Sequence, residues 1–125
     1  MHILVCEDQD EIRRMIEVLV RARGYRVTGV ASGARALDVA AADRPDVLLL
    51  DLTLPGEYDG FEVCRRVRKL PATRTVPVII ISALDDDASR SRAQRAGATA
   101  YHTKPFSPTG LLKEIERHSR RPPPP

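Results

Sequence analysis

The sequence predicts a doubly wound α/β fold, a parallel five-stranded sheet with helices on both faces. Three observations carry the prediction. Five apolar runs of strand length alternate strictly with five stretches of helical periodicity. Two of the runs, Val47–Leu50 and Val78–Ile81, are continuously apolar, which suits strands buried on both faces. The chain has 125 residues, enough for one ordinary domain, and Gly24, Pro45, Pro77 and Gly97 punctuate the joins between segments.

The first strand is expected at His2–Cys6. In the helix after it, Ile12, Met15, Ile16 and Leu19 share one face, and Gly24 follows its end. The second strand is Tyr25–Val30. Pro45 precedes the third, Asp46–Leu50, and Pro77 opens the fourth, Val76–Ser82. Gly97 closes the fourth helix, before a fifth strand at Thr99–Thr103. In the last helix Leu111, Leu112 and Ile115 align. Strict (βα)5 alternation at this length implies a flavodoxin-like sandwich with strand order 2-1-3-4-5. The domain is expected over 1–118. The Pro-rich stretch 119–125 cannot continue a helix and is expected to be an extended polyproline tail, or a truncated linker to a further domain.

Composition narrows the function classes. Hydrophobic residues are 42% and charged residues 30%, the balance of a soluble globular protein. The longest apolar run, about six residues around Pro77–Ile81, is far short of the ~20 that a membrane helix requires. The N-terminus turns acidic at Glu7 and Asp8 before a signal-peptide core could form, so a cytoplasmic location is expected. Trp is absent, leaving three Tyr and two Phe as candidates for stacking on bases. The net charge is +3, but the basic residues are dispersed. Their densest run, Arg65, Arg66, Arg68 and Lys69, reads as a solvated face, so neither nucleic acid nor membrane is expected as a direct partner. Cys6 and Cys64 lie in apolar patterns and read as buried, reduced thiols. His2, His102 and His118 lack metal-ligand spacing with cysteine and read as surface residues.

In such a fold, ligands sit outside the carboxyl ends of the strands. Glu7 and Asp8 follow strand one, Asp51 follows strand three, Ser82 ends strand four and Lys104 follows strand five. These strands are consecutive neighbours apart from strand two, so three carboxylates, a hydroxyl and an ammonium converge. Carboxylates so close repel one another unless a cation compensates, and a hard oxygen-ligated ion such as Mg²⁺ suits the set. Each residue also has a plainer reading. Asp8 could cap the first helix, Ser82 could be a turn residue and Lys104 an edge-strand lysine. Glu7 is harder to explain away, because a second acid at a buried strand end needs a partner. Asp51 has no helix to cap, since Leu52-Thr53-Leu54-Pro55-Gly56 comes next.

Val5-Cys6-Glu7-Asp8, Leu48 through Gly56, Ile79 through Leu84 and Ala100 through Phe106 resemble, as an ordered set, the receiver (CheY-like) domain of two-component response regulators. The resemblance implies that Asp51 accepts a phosphoryl group from the phosphohistidine of a sensor histidine kinase or phosphotransfer protein. It implies Mg²⁺ ligands at Glu7, Asp8, Asp51 and the backbone carbonyl of Thr53. Ser82 and Lys104 would bind the phosphoryl group, and Tyr101 would swing inward as Ser82 moves. The face of helix four, strand five and helix five would then change shape for a downstream effector domain or protein, or for a phosphorylation-dependent dimer. Such a chain is a signalling phosphoacceptor rather than an enzyme. The resemblance also implies a cis peptide at Lys104–Pro105, directing the ammonium inward. The chemistry agrees, because phosphoryl transfer needs positioning and charge neutralisation above all.

The match has departures. The segment Pro55–Gly60 is one residue longer than the common pattern. Thr53 and Leu84, two residues beyond Asp51 and Ser82, tune hydrolysis in the family; neither carries an amide or carboxylate to orient water, so slow self-dephosphorylation is expected. Gly97–Ala100 lacks the acids common in winged-helix regulators that dimerise through this face. Other classes fit less well. A haloacid-dehalogenase-like phosphatase wants an acid where Thr53 stands. A nucleotide-binding domain wants GxxxxGK or GxGxxG after a strand, and neither is present. The rival is a receiver-like module that binds partners without phosphorylation.

Overall fold

A computed structural model describes residues 1–119. The elements run β1 (His2–Cys6), α1 (Asp10–Ala22), β2 (Arg26–Val30), α2 (Gly33–Ala42), β3 (Val47–Asp51), α3 (Gly60–Lys69), β4 (Val78–Ser82), α4 (Asp87–Ala96), β5 (Ala100–Thr103) and α5 (Pro108–Ser119). The sheet is parallel throughout, in the order β2-β1-β3-β4-β5. Ser119 is the last helical residue of α5, one beyond the expected end of the domain, and its hydroxyl donates to the Glu116 carbonyl (3.0 Å). The rest of the Pro-rich stretch, 120–125, lies outside the described residues.

The continuous apolar runs are explained by two cores, one on each side of the sheet. Leu4, Cys6, Leu48, Leu50, Val78 and Ile80 pack into one with α2, α3 and α4. Their alternate neighbours Ile3, Val5, Val47, Leu49, Ile79 and Ile81 pack into the other with Ile16 and Val20 of α1 and Leu111 and Ile115 of α5. A strand read on both faces has no polar position to offer, which is why period-two alternation is missing.

Several boundaries and faces differ from expectation. Strands β2, β3, β4 and β5 start one or two residues later than their apolar runs, whereas β3 extends to include Asp51. Pro77 has no N–H for the ladder; it supplies only its carbonyl, to Leu48 N (2.9 Å). On α1 the buried line is Ile16 and Val20, spaced by four, with Ile12 packed alongside; Met15 is turned out and 42% exposed. His2 is not a surface residue. It opens a strand flanked on both sides and is 3% exposed, with Nε2 hydrogen-bonded to Thr28 Oγ1 (2.8 Å).

Arg68 departs most from the solvated-face reading of its basic run. Its guanidinium donates to the carbonyls of Gly97 (2.9 Å), Arg74 (3.1 Å) and Val76 (2.6 Å), and to Thr99 Oγ1 (3.3 Å). One side chain therefore ties α3 to the segment before β4 and to the end of α4. Arg65 and Arg66 behave as expected of a surface, both pairing with Glu62 at 3.1 Å. Both cysteines are free and buried. The Cys6 thiol is pushed up to about 12 by burial and then by the nearby Asp51 and Glu7 carboxylates, so it stays protonated.

Candidate functional site

The sheet register places the chemistry. Cys6 is level with Leu50, Asp51 with Ile81, and Ser82 with Thr103. The residues at the carboxyl ends of β1, β3, β4 and β5 therefore share one rim, holding Glu7, Asp51, Ser82 and Lys104. Three of these strand ends use the same local device, a side-chain oxygen accepting from the backbone N–H two residues on. Glu7 Oε2 accepts from Gln9 (3.1 Å), Asp51 Oδ1 from Thr53 (3.1 Å) and Ser82 Oγ from Leu84 (3.1 Å). Each turn fixes its side chain before any ligand arrives.

The oxygens left over converge on Lys104. Its Nζ lies 2.5 Å from Glu7 Oε1 and 3.0 Å from Asp51 Oδ2. The Lys104–Pro105 peptide is cis. Glu7 and Ser82 are fully buried, and Asp51 is 3% exposed. Burial pushes the Glu7 carboxyl up to about 7, and the Lys104 hydrogen bond opposes that rise. Burial acts to lower the Lys104 pKa, yet the hydrogen bonds to Glu7 and Asp51 prevail and hold it above the ordinary lysine value.

Asp8 stands at the edge of this cluster. One carboxylate oxygen from each of Glu7, Asp8 and Asp51 falls within 4.8 Å of the others. The N-cap of α1 is Gln9, with no side-chain cap bond, so Asp8 is not the cap of that helix. Glu7 Oε1 is buried and, apart from the ammonium facing it, accepts no hydrogen bond. Hard carboxylate oxygens, one of them buried and short of partners, fit a small divalent cation such as Mg²⁺. Asp8, Gln9, Asp51, Thr53, Ala83 and Lys104 line an open cavity of about 200 Å³ above them.

Two further residues, not evident among the strand-end motifs, support the site. Arg13 donates from α1 to the Glu7 carbonyl (2.9 Å) and to Asp10 Oδ1 (2.6 Å), holding the acidic turn against the helix. The signal was the i, i+3 spacing of Asp10 and Arg13, which puts both on one helix face. Gly60 is the other. A Cβ there would collide with the Asp51 carbonyl oxygen and with Leu52 Cα, so α3 can start this close to Asp51 only with glycine. The loop after Asp51 returns through Gly60 N to Leu52 O (3.0 Å), and Asp59 caps α3 by accepting from Glu62 N (2.9 Å). Tyr101 lies against the β4–α4 loop, its hydroxyl donating to the Leu84 carbonyl (2.6 Å).

Residues 3–116 match the family model described as the response regulator receiver domain. The chain belongs to that family. The receiver is 41% identical to the transcriptional regulatory protein CseB of Streptomyces coelicolor, over 96% of this chain and 50% of that protein. It is 38% identical to the response regulator PleD of Caulobacter vibrioides, over 94% of this chain and 26% of that protein. The chain thus spans half or less of the length of these curated relatives. It also superposes on the solved receiver domain of the sensor histidine kinase PA1611 of Pseudomonas aeruginosa with a TM-score of 0.88. That pair is 34% identical, covering 96% of this chain and 98% of the other, and the solved domain carries a magnesium ion in its active-site cleft. The five-stranded order and the parallel ladders are those of the receiver fold. Among the described residues, no helix is long and apolar enough to cross a membrane.

Proposed function

We propose that Asp51 is the phosphoacceptor of a cytoplasmic two-component pathway, charged by a sensor histidine kinase or a phosphotransfer protein. The supporting observation is that Glu7 and Asp51 share the Lys104 ammonium at the floor of a small acidic mouth. An Asp51 carboxylate oxygen bonds to phosphorus as the phosphorus–nitrogen bond of phosphohistidine breaks, and the imidazole leaves with the bonding pair. Lys104, already against Asp51, neutralises negative charge on the incoming group. The Ser82 hydroxyl donates to a phosphoryl oxygen while still accepting from Leu84 N. Glu7, Asp8, Asp51 and the backbone carbonyl of Thr53 would hold Mg²⁺, which supplies charge neutralisation of the phosphoryl oxygens. Arg13 and the three strand-end turns hold these groups in place, so little reorganisation accompanies transfer.

Output follows from the new localised charge, which biases the β4–α4 loop and Tyr101 and so reshapes the face made by α4, β5 and α5. A downstream effector domain or protein, or a second phosphorylated copy, reads that face. The test is incubation with acetyl phosphate followed by intact-mass measurement. Addition of one phosphoryl mass that requires Mg²⁺ and is lost in Asp51→Asn supports the reading. No addition would instead favour a receiver-like module that binds partners without phosphorylation.

A further inference from the structure

Four residues around the β4–α4 loop form a closed circuit outside the acidic cluster. Tyr101 of β5 donates its hydroxyl to the Leu84 carbonyl (2.6 Å). The Arg90 guanidinium of α4 lies over the Tyr101 ring, 4.7 Å from its centroid. The same guanidinium pairs with Asp85, next in the loop to Leu84, at 2.7 Å. The circuit touches the phosphoryl mouth at two points. Ser82 Oγ accepts from Leu84 N (3.1 Å), and Ala83, between them, lines the mouth. Burial raises the Tyr101 phenol pKa, while the nearby Ser82 hydroxyl and the Arg90 charge oppose the rise.

We propose that Arg90 is a positioning residue for the phosphoryl site, holding Tyr101 against the Leu84 carbonyl and thereby ordering the loop that presents Ser82 and Ala83. The assignment rests on the phosphoacceptor reading of Asp51 and adds to it a control point on α4. An exposed ion pair alone contributes little, and Asp85 is 73% exposed at its side chain. The same fork also stacks on an aromatic ring whose hydroxyl is tied to the loop. Its loss removes two contacts at once and leaves the Tyr101–Leu84 hydrogen bond unsupported. A loop released in this way spends part of its time in arrangements that do not present Ser82, and apparent affinity falls by the fraction lost.

The protein has only three tyrosines, so 3-fluorotyrosine labelling gives three fluorine resonances, assigned by Tyr→Phe variants. Beryllofluoride with Mg²⁺ is titrated into wild type, Arg90→Ala and Arg90→Lys. In wild type the Tyr101 resonance moves on saturation. In Arg90→Ala it is displaced or broadened already in the free protein, and the apparent Kd rises about three- to tenfold. Arg90→Lys, which keeps the charge but loses the planar fork, falls between. Unmoved Tyr25 and Tyr58 resonances certify the fold of each variant. Wild-type binding with an unchanged Kd in Arg90→Ala overturns the role of Arg90 and leaves Asp51 as acceptor. Absence of binding in wild type overturns the phosphoacceptor reading and, with it, this one.

Discussion

Lys104 Nζ stands 2.5 Å from Glu7 Oε1, joining the turn after β1 to the turn after β5 across the width of β3 and β4. Glu7 is fully buried and the Lys104 side chain is 14% exposed, so each removes most of the other's uncompensated charge. The pair does what a bound cation would also do for the carboxylates, which makes ammonium and metal partly interchangeable partners for Glu7.

Lys104→Met is therefore expected to destabilise the metal-free protein by about 3 kcal/mol, the lower end of the cost of stranding a buried charge. Millimolar Mg²⁺ recovers part of that loss, because a divalent ion neutralises the same oxygens. Urea unfolding of wild type and variant, in chelator and in Mg²⁺, measures both effects. The double variant Lys104→Met/Glu7→Gln, which leaves Asp51 as the one carboxylate parted from the ammonium, should regain part of that stability even in chelator. Equal midpoints for wild type and Lys104→Met in chelator would show that the pair contributes nothing.

Self-dephosphorylation should be slow. Thr53 lies in the mouth, and Leu84 is 39% exposed at the start of the β4–α4 loop, but neither can orient an attacking water through a carboxamide or carboxylate. The decay of the aspartyl phosphate in Mg²⁺ buffer is expected to take minutes or longer, with Thr53→Asn accelerating it several-fold. Complete loss from wild type within seconds would contradict the argument.

What could be foreseen of this molecule divides along a physical line. The three inner strands were legible because burial on both faces leaves continuous apolar runs. The convergence of Glu7, Asp51, Ser82 and Lys104 was legible because the plainer readings of single residues do not explain so many polar groups at neighbouring strand ends, and Asp51 has no helix to cap. Burial set by neighbours distant in sequence was not legible. His2 looks like any polar N-terminal residue until β1 is known to lie between β2 and β3. Arg68 looks like one more base in Arg65–Lys69 until α4 and the turn before β4 bring their carbonyls around it. Met15 fits the helical stripe, but the stripe is centred on Ile16 and Val20, and only the packing of α1 on the sheet decides which edge is left in water.

Arg68→Ala is expected to cost about 2–4 kcal/mol, a large value for a residue in an apparently ordinary basic run. Hydrogen bonds to charged groups each contribute about 1.5–3 kcal/mol, and here a single truncation removes four. Arg68→Lys should recover little, since one ammonium cannot reach carbonyls on two separate segments. Chemical denaturation gives the comparison. Arg66→Ala on the same helix, a surface partner of Glu62, serves as the control and should change stability by no more than ~1 kcal/mol.

His2 should make the fold acid-sensitive. Its pKa is lowered, first by burial and then by the charge of Arg26, while Asp43 and Asp46 act in the opposite direction. The unfolded chain therefore binds a proton at this position more readily than the native protein does. Over that interval stability rises with pH, so it is fully present above the ordinary histidine value of about 6.5 and declines as pH falls toward the depressed native value. Protonation would put a charge on Nδ1, a buried atom that accepts and donates no hydrogen bond, with the Asp43 carboxylate 3.9 Å away as its nearest compensation. Thermal unfolding of wild type and His2→Asn, which keeps a polar side chain without a titrating ring, checks the slope between roughly pH 7 and pH 5. Glu7, raised to about 7, titrates in that interval with the opposite sign in both proteins, so the His2 contribution is the difference between them. Wild type should lose more stability, or gain less, than the variant as pH falls; identical profiles would assign the effect to other groups.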